Sequence, residues 1–79
     1  MISACVLVGC HSGRLKTVLH TIKQIEHVTR SFPALGRWDI IVEIVAPDIQ
    51  KATMSALLIN NLKGVKQSET LIEAKVEEQ

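Results

Sequence analysis

Ile2 to Val8 is an apolar run rich in β-branched residues, and Gly9 to Gly13 interrupts it with turn chemistry, so the first segment reads as a strand. Leu15, Val18, Leu19, Ile22 and Ile25 then recur at helical spacing, with Arg14, Lys16, Lys23 and Gln24 on the other side. This predicts a first helix, with Ser12 as its N-cap. His27 to Leu35 carries Val28, Thr29 and Phe32 and predicts a second strand. The apolar run Ile40 to Val45 predicts a third, and the two are expected to be joined by a tight hairpin at Gly36. Pro33 has no N–H for a ladder bond, so the second strand should be an edge or carry a bulge. Ala46-Pro47-Asp48 stops the third strand. Asp48 can cap a helix of about four turns, whose stripe is Ile49, Ala52, Ala56, Ile59 and Leu62 and whose end is near Gly64. Val65 to Val76 closes the pattern as a long strand.

The order β-α-β-β-α-β predicts an α+β, ferredoxin-like sandwich: a four-stranded antiparallel sheet with two helices on one face, because right-handed crossovers put both helices on the same side. The other face should then be polar, yet it is not. Ala4, Val6 and Val8 alternate with Cys5 and Leu7, and Ile40, Val42 and Ile44 alternate with Ile41 and Val45. Apolar residues on both faces of a sheet predict that both are covered, here by a second copy of the chain.

Composition narrows the field further. Seventy-nine residues bury about 60 % of their unfolded surface and support one core, so residues 1–79 are expected to be a single domain. Aromatic residues are only 3 % of the chain, leaving burial to Val, Ile, Leu and Ala. Nine basic against eight acidic residues leave a net charge of +1, and no Lys/Arg cluster marks a nucleic-acid footprint, so direct DNA binding is disfavoured. Cys5 and Cys10 lie along one extended segment and read as reduced thiols. The apolar run at the N-terminus is too short for a signal peptide or a membrane span, which together with the thiols points to the cytoplasm.

Two ordered motifs carry a family resemblance over nearly the whole chain. One is Val28 to Phe32 followed by Gly36-Arg37-Trp38-Asp39-Ile40-Ile41-Val42; the other is Gly64-Val65 leading into Ser68, Thr70 and Ile72. Together they resemble the effector-binding domain of Lrp/AsnC transcription regulators, also called the RAM domain. The resemblance implies a dimeric α/β barrel formed by facing sheets, assembly of dimers into rings such as octamers or decamers, and amino-acid effectors bound where dimers meet, beside the glycine-aspartate hairpin. Regulators of this kind carry an N-terminal helix-turn-helix. This chain begins at the first strand, so it resembles the stand-alone versions, whose effect on DNA passes through partners.

The residues themselves fit a zwitterion. Leu35 and Gly36 open the hairpin, and the Gly36 amide can approach a carboxylate closely. Asp39 offers an anionic acceptor to an α-ammonium group, and Arg37 can pair with a carboxylate. Trp38 can cover an aliphatic stem or anchor a subunit interface. Ser68 and Thr70 share a strand face and can orient a polar head group. The same loop also admits a plainer reading, in which Gly36 and Asp39 only satisfy a turn. His11, His20, His27, Cys5 and Cys10 lack the compact pairing of a zinc site, and His20 fits the polar face of the first helix. No cofactor is expected.

Three functions remain: an amino-acid sensor with no catalysis, a ligand-independent scaffold that co-assembles with full-length Lrp/AsnC regulators, and a small enzyme working at Cys10 and His11. The third is weakest, since no positioned acid-base or nucleophilic pair is present.

Overall fold

The computed structural model describes residues 1–73, in the order β1 (Ile2–Cys10), α1 (Leu15–Ile22), β2 (Val28–Pro33), β3 (Ile40–Ala46), α2 (Ile49–Asn60) and β4 (Val65–Ile72). The expected continuation of the last strand to Val76 lies outside the described residues. The strands make one antiparallel sheet in the order β2-β3-β1-β4, so β1 and β3 are central and β2 and β4 are edges. This is the ferredoxin-like α+β arrangement. Pro33 ends edge strand β2, whose pairing with β3 also shifts register between Val28 and Arg30.

The alternation along the central strands sorts the two faces. Val6 lies opposite Val42 and Val8 opposite Ile40, and Ala4, Val6, Val8, Ile40, Val42, Ile44 and Ala46 are all buried. They pack against Val18 and Ile22 of α1 and Ala52, Ala56 and Ile59 of α2. Burial of each Val or Ile stabilises the fold by roughly 1.5–3 kcal/mol. Ala52 and Ala56 have no bulk to hold α2 away from the sheet. The opposite face carries Cys5, Leu7, Ile41 and Val45, all half-buried, with Leu71 exposed beside them. Two of its charges are paired, Arg30 with Glu43 at 3.3 Å, and the Arg30 guanidinium stacks 4.3 Å over the Phe32 ring. No helix among the described residues is long and apolar enough to cross a membrane.

Local signals differ from expectation at three places. Ser12 does not cap α1. The N-cap is Arg14, which makes no side-chain cap bond, because the turn at Gly13 (φ +80°) separates Ser12 from the first helical residue by two positions. Helix α1 stops at Ile22, and Ile25 reaches the core from the following turn. The β2–β3 connection is not a tight hairpin; residues 34–39 form an open loop. Asp48 caps α2 as expected, accepting from the Lys51 N–H at 2.8 Å. Of the anticipated α2 stripe, Ala52, Ala56 and Ile59 are buried, Ile49 is exposed, and Leu62 packs on the core from beyond the helix end.

Both helices return to the sheet through the same turn. Val28 donates to the Ile25 carbonyl at 3.3 Å, and Val65 donates to the Leu62 carbonyl at 3.1 Å. The third residue of each turn is left-handed: His27 at φ +74° and Gly64 at φ +99°. Glycine adopts this conformation freely, whereas a side chain there costs about 1–3 kcal/mol unless its surroundings over-determine it. They do so at His27. The His27 carbonyl accepts from Val45 at 3.0 Å and the Glu26 carbonyl from buried Ser55 at 2.8 Å. At Gly64 there is no room for such a substitution, since a Cβ would lie 2.9 Å from Val18 Cγ2 and 3.0 Å from Arg14 Cβ. Urea denaturation should therefore show Gly64→Ala destabilised by about 1–3 kcal/mol, and His27→Gly unchanged or stabilised by up to about 1 kcal/mol. A His27→Gly protein destabilised as much as Gly64→Ala would contradict the equivalence of the two turns.

Candidate functional site

The loop 34–39 is open at its tip and fixed at its stem. Asp39 does the fixing. Its N–H donates to the Val8 carbonyl at 2.8 Å, its carbonyl accepts from Ala34 at 2.8 Å, and its carboxylate Oδ2 accepts from the Cys10 N–H at 2.7 Å. The last bond takes up the Cys10 amide just past the end of the β1–β3 ladder, whose final pair is Val8 with Ile40; the pairing of β1 with β4 shifts register there by passing over Lys66, between Gln67 opposite Gly9 and Val65 opposite Cys10. This is not a bond within the turn, since Cys10 lies 29 residues away on β1, and it engages one of the two carboxylate oxygens. Above this stem, Arg37 lies 5.8 Å from the centroid of the half-buried Trp38 ring. Gly36 sits at φ +137° with nothing within 4 Å of where a Cβ would be, so its backbone is open to a ligand. Leu35 is fully exposed.

Ser68 and Thr70 belong to a different place. They lie opposite Val8 and Val6, so they point to the helix-covered face at the β4 edge. There α2 and β4 enclose a cleft of about 390 Å³. Its apolar wall is Ala56, Leu57 and Ile72, and its polar groups are Thr53, Asn60, Ser68 and Thr70. The Ser68 hydroxyl donates to Asn60 Oδ1 at 2.7 Å. Leu57, Asn60 and Ile72 were not anticipated from the sequence. The available signal was that positions 53, 57 and 60 share one flank of α2 while 68, 70 and 72 share one face of β4.

The loop and the cleft do not form one site within a single chain. Ile40 and Ser68 pair with Val8 from opposite sides, so Asp39 and Ser68 are roughly 10 Å apart, two strand spacings. A second cleft, of about 450 Å³, opens on the uncovered sheet face beside Cys5, Glu43, Val45 and Leu71, and none of the anticipated site residues lines it.

Residues 3–76 match the family model described as the Lrp/AsnC ligand binding domain. The chain belongs to the Lrp/AsnC ligand-binding domain family. The fold of this Lrp/AsnC domain is similar to that of TTHA0845 from Thermus thermophilus, with a TM-score of 0.89 at 22 % identity over 100 % of both chains. It is similar also to AsnC from E. coli, with a TM-score of 0.83 at 15 % identity over 99 % of this chain and 54 % of that one. A third similar structure is the transcriptional regulator NMB0573 from Neisseria meningitidis in complex with L-Met, with a TM-score of 0.74 at 14 % identity. It aligns with 99 % of this chain and 53 % of its own. The Lrp/AsnC domain thus spans about half the length of these two regulators. No curated protein matches the chain.

The thiols of the Lrp/AsnC domain are poorly suited to nucleophilic chemistry. Burial pushes the Cys10 pKa up, and the Asp39 carboxylate adds to the shift; for Cys5 the causes are burial and then Glu43. The thiolate is the reactive form, so both shifts oppose reactivity. His11 is exposed and its amide donates to the Gly64 carbonyl at 2.9 Å, which makes it part of the loop packing. His20 is exposed on α1, and His27 Nε2 lies 3.0 Å from Glu26 Oε1 without hydrogen-bonding alignment. Among the described residues, no group of three or more His, Cys, Asp or Glu side chains is placed to hold a metal ion. Iodoacetamide at pH 8 should alkylate Cys10 more slowly in the folded protein than in urea. Raised folded-state values mean that the unfolded chain loses thiol protons first, so these groups favour folding below pH ~9 and that contribution fades as pH rises further. Faster labelling of the folded protein would reverse the assignment.

Proposed function

We propose that this Lrp/AsnC domain is an amino-acid sensor without catalytic activity, working in the cytoplasm as an oligomer and passing ligand occupancy to partner regulators. The observation that carries the reading is the Asp39 stem. Three hydrogen bonds fix the stem of the loop while its tip stays bare, so the Asp39 carboxylate is held in place before a ligand arrives and the Gly36 amide is open to it. Such preorganisation lowers the ordering cost of binding. The Gly36 amide suits an α-carboxylate and Asp39 an α-ammonium group. Arg37 serves the carboxylate, and Trp38 and Leu35 close over the ligand. The similar structure of NMB0573 in complex with L-Met supports the choice of ligand class.

The roughly 10 Å between Asp39 and Ser68 gives the second half of the proposal. A small zwitterion cannot reach both within one chain, so Ser68 and Thr70 complete the site when a second copy brings its loop against the cleft. The half-buried face of Cys5, Leu7, Ile41 and Val45 supplies a separate contact, sheet against sheet, that builds the dimer. Rings of dimers then bring loop and cleft together, as octamers or decamers. Association with full-length Lrp/AsnC regulators would use the same two surfaces.

Thermal unfolding against the twenty amino acids tests the ligand. A ligand at a hundred times its Kd raises stability by about 2.7 kcal/mol. One amino acid or a related group should raise Tm, and Asp39→Ala should lose that shift while keeping its assembled mass. Absence of any shift would favour the ligand-independent scaffold. Light scattering tests the assembly: Leu7→Glu, which buries a charge against the facing sheet, should reduce the native mass to that of a monomer, and an unchanged mass would exclude the sheet-to-sheet contact.

A further inference from the structure

We infer that the end of the sheet where β1 finishes and β4 begins is a contact surface for a nucleic-acid phosphate backbone, made by Arg14, Lys16, Lys63 and Lys66. These cations are scattered along the sequence, where no cluster is visible, and the fold brings them together. The pairing of Cys10 with Val65 puts the C-terminal end of β1 beside the start of β4. The β1–α1 turn then packs on the α2–β4 turn. The His11 N–H donates to the Gly64 carbonyl at 2.9 Å, and a Cβ at Gly64 would lie 3.0 Å from Arg14 Cβ and 3.3 Å from Arg14 Cγ. The Arg14 stem therefore lies across the turn that carries Lys63 and leads into Lys66, while Lys16 stands in the first turn of α1.

All four cations are exposed, and among the described residues none is in an ion pair. Like charges gathered without counter-ions repel one another, and a polyanion relieves that repulsion. The acidic groups are placed elsewhere or engaged. Asp39 Oδ2 is taken by the Cys10 N–H, Glu69 lies on the open sheet face opposite Leu7, and Glu26, Asp48 and Glu73 belong to the other end of the sheet. A net charge of +1 thus hides an uneven distribution. Phosphate suits this composition better than a protein surface does. Contacts between proteins are depleted in lysine, whereas contacts with nucleic acid are polar and strongly positive. Gly13, in the same turn, has nothing within 4 Å of where a Cβ would be, which leaves its backbone open to a phosphate oxygen. The group contains no aromatic ring on which a base could stack, so the contact is independent of base sequence. It also stands apart from the sensor reading, since Arg37 and Asp39 take no part in it.

Fluorescence anisotropy of a labelled, mixed-sequence DNA duplex titrated with the full chain tests the surface. The association constant should fall by roughly 100-fold or more as salt rises from about 50 to about 200 mM, with a slope of log K against log salt of about −3 or steeper, as four neutralised phosphates require. The double variant Lys63→Gln/Lys66→Gln should keep the parent's Tm and assembled mass and make that slope shallower by about 2. Lys23→Gln/Lys51→Gln, which removes the same charge from the other end of the sheet, should leave the slope unchanged. Absence of binding at the lower salt, or an equal effect of the two double variants, would overturn the surface. Competition by poly-L-glutamate as strong as that by unlabelled duplex at equal charge concentration would overturn it in favour of an acidic protein partner. The same result with phosphatidylserine vesicles would overturn it in favour of a membrane. The amino-acid panel is a separate measurement, so failure here would leave the sensor reading standing.

Discussion

Val6 lies opposite Val42 at the centre of the sheet, with Thr70 on its other side, and the position of every other group follows from that register. Strand side chains alternate, so a slip of one residue would move Val6, Val8, Ile40, Val42 and Ile44 out of the core and put Cys5, Leu7, Ile41 and Val45 under the helices. Either set is apolar enough to be buried. The discrimination comes from the helices, whose small residues Ala52 and Ala56 fit against β-branched valines and isoleucines, and from the charges on the open face. Glu43 and Glu69 share a face with Leu7 and Cys5, and burying them beneath α2 would leave carboxylates without partners.

The same register places the loop. Val8 is the last residue of β1 paired with β3, and its carbonyl is taken by the Asp39 N–H while the Asp39 carboxylate holds the Cys10 amide beyond it. A structural duty and a binding duty therefore meet on one residue. They are compatible because they use different oxygens. A substitution that removes the carboxylate therefore loosens the end of β1 as well as the ligand contact, and assembled mass separates the two effects.

The helix and strand segments were legible in the sequence because most have a clear period and a punctuating residue: Asp48 before α2, Pro33 at the edge strand, glycine or proline at most boundaries. The misses have local causes. Ser12 has cap chemistry but lies too far ahead of Leu15 once Gly13 turns the chain. Gly36 suggests a tight hairpin, yet six residues separate the strands because Asp39 is drawn back to Val8 and Cys10. His27 carries no signal for a left-handed conformation; only the parallel with Gly64 in the other half of the fold reveals the turn. The candidate loop was legible from its Gly-x-aromatic-Asp pattern. The cleft was half legible, through Ser68 and Thr70, because its α2 wall depends on how a helix of low amphipathicity is rotated over an edge strand.

That rotation is where the remaining functional content lies. Helix α2 buries Ala52, Ser55, Ala56 and Ile59 and leaves Met54, Leu57 and Leu58 largely in water. A helix serving only the core would have polar residues at those positions. Leu57 faces the cleft with Thr53 and Asn60, so part of the excess has a use within the effector reading. The loop that would hold the ligand's head group sits at the β2–β3 side of the sheet and the cleft at the β4 edge, on opposite flanks. Contact between unlike surfaces on opposite flanks is head-to-tail, and head-to-tail contact closes into rings or runs on as filaments. A ligand held in that contact would stabilise the interface that completes its own site, so occupancy and assembly would be linked in both directions.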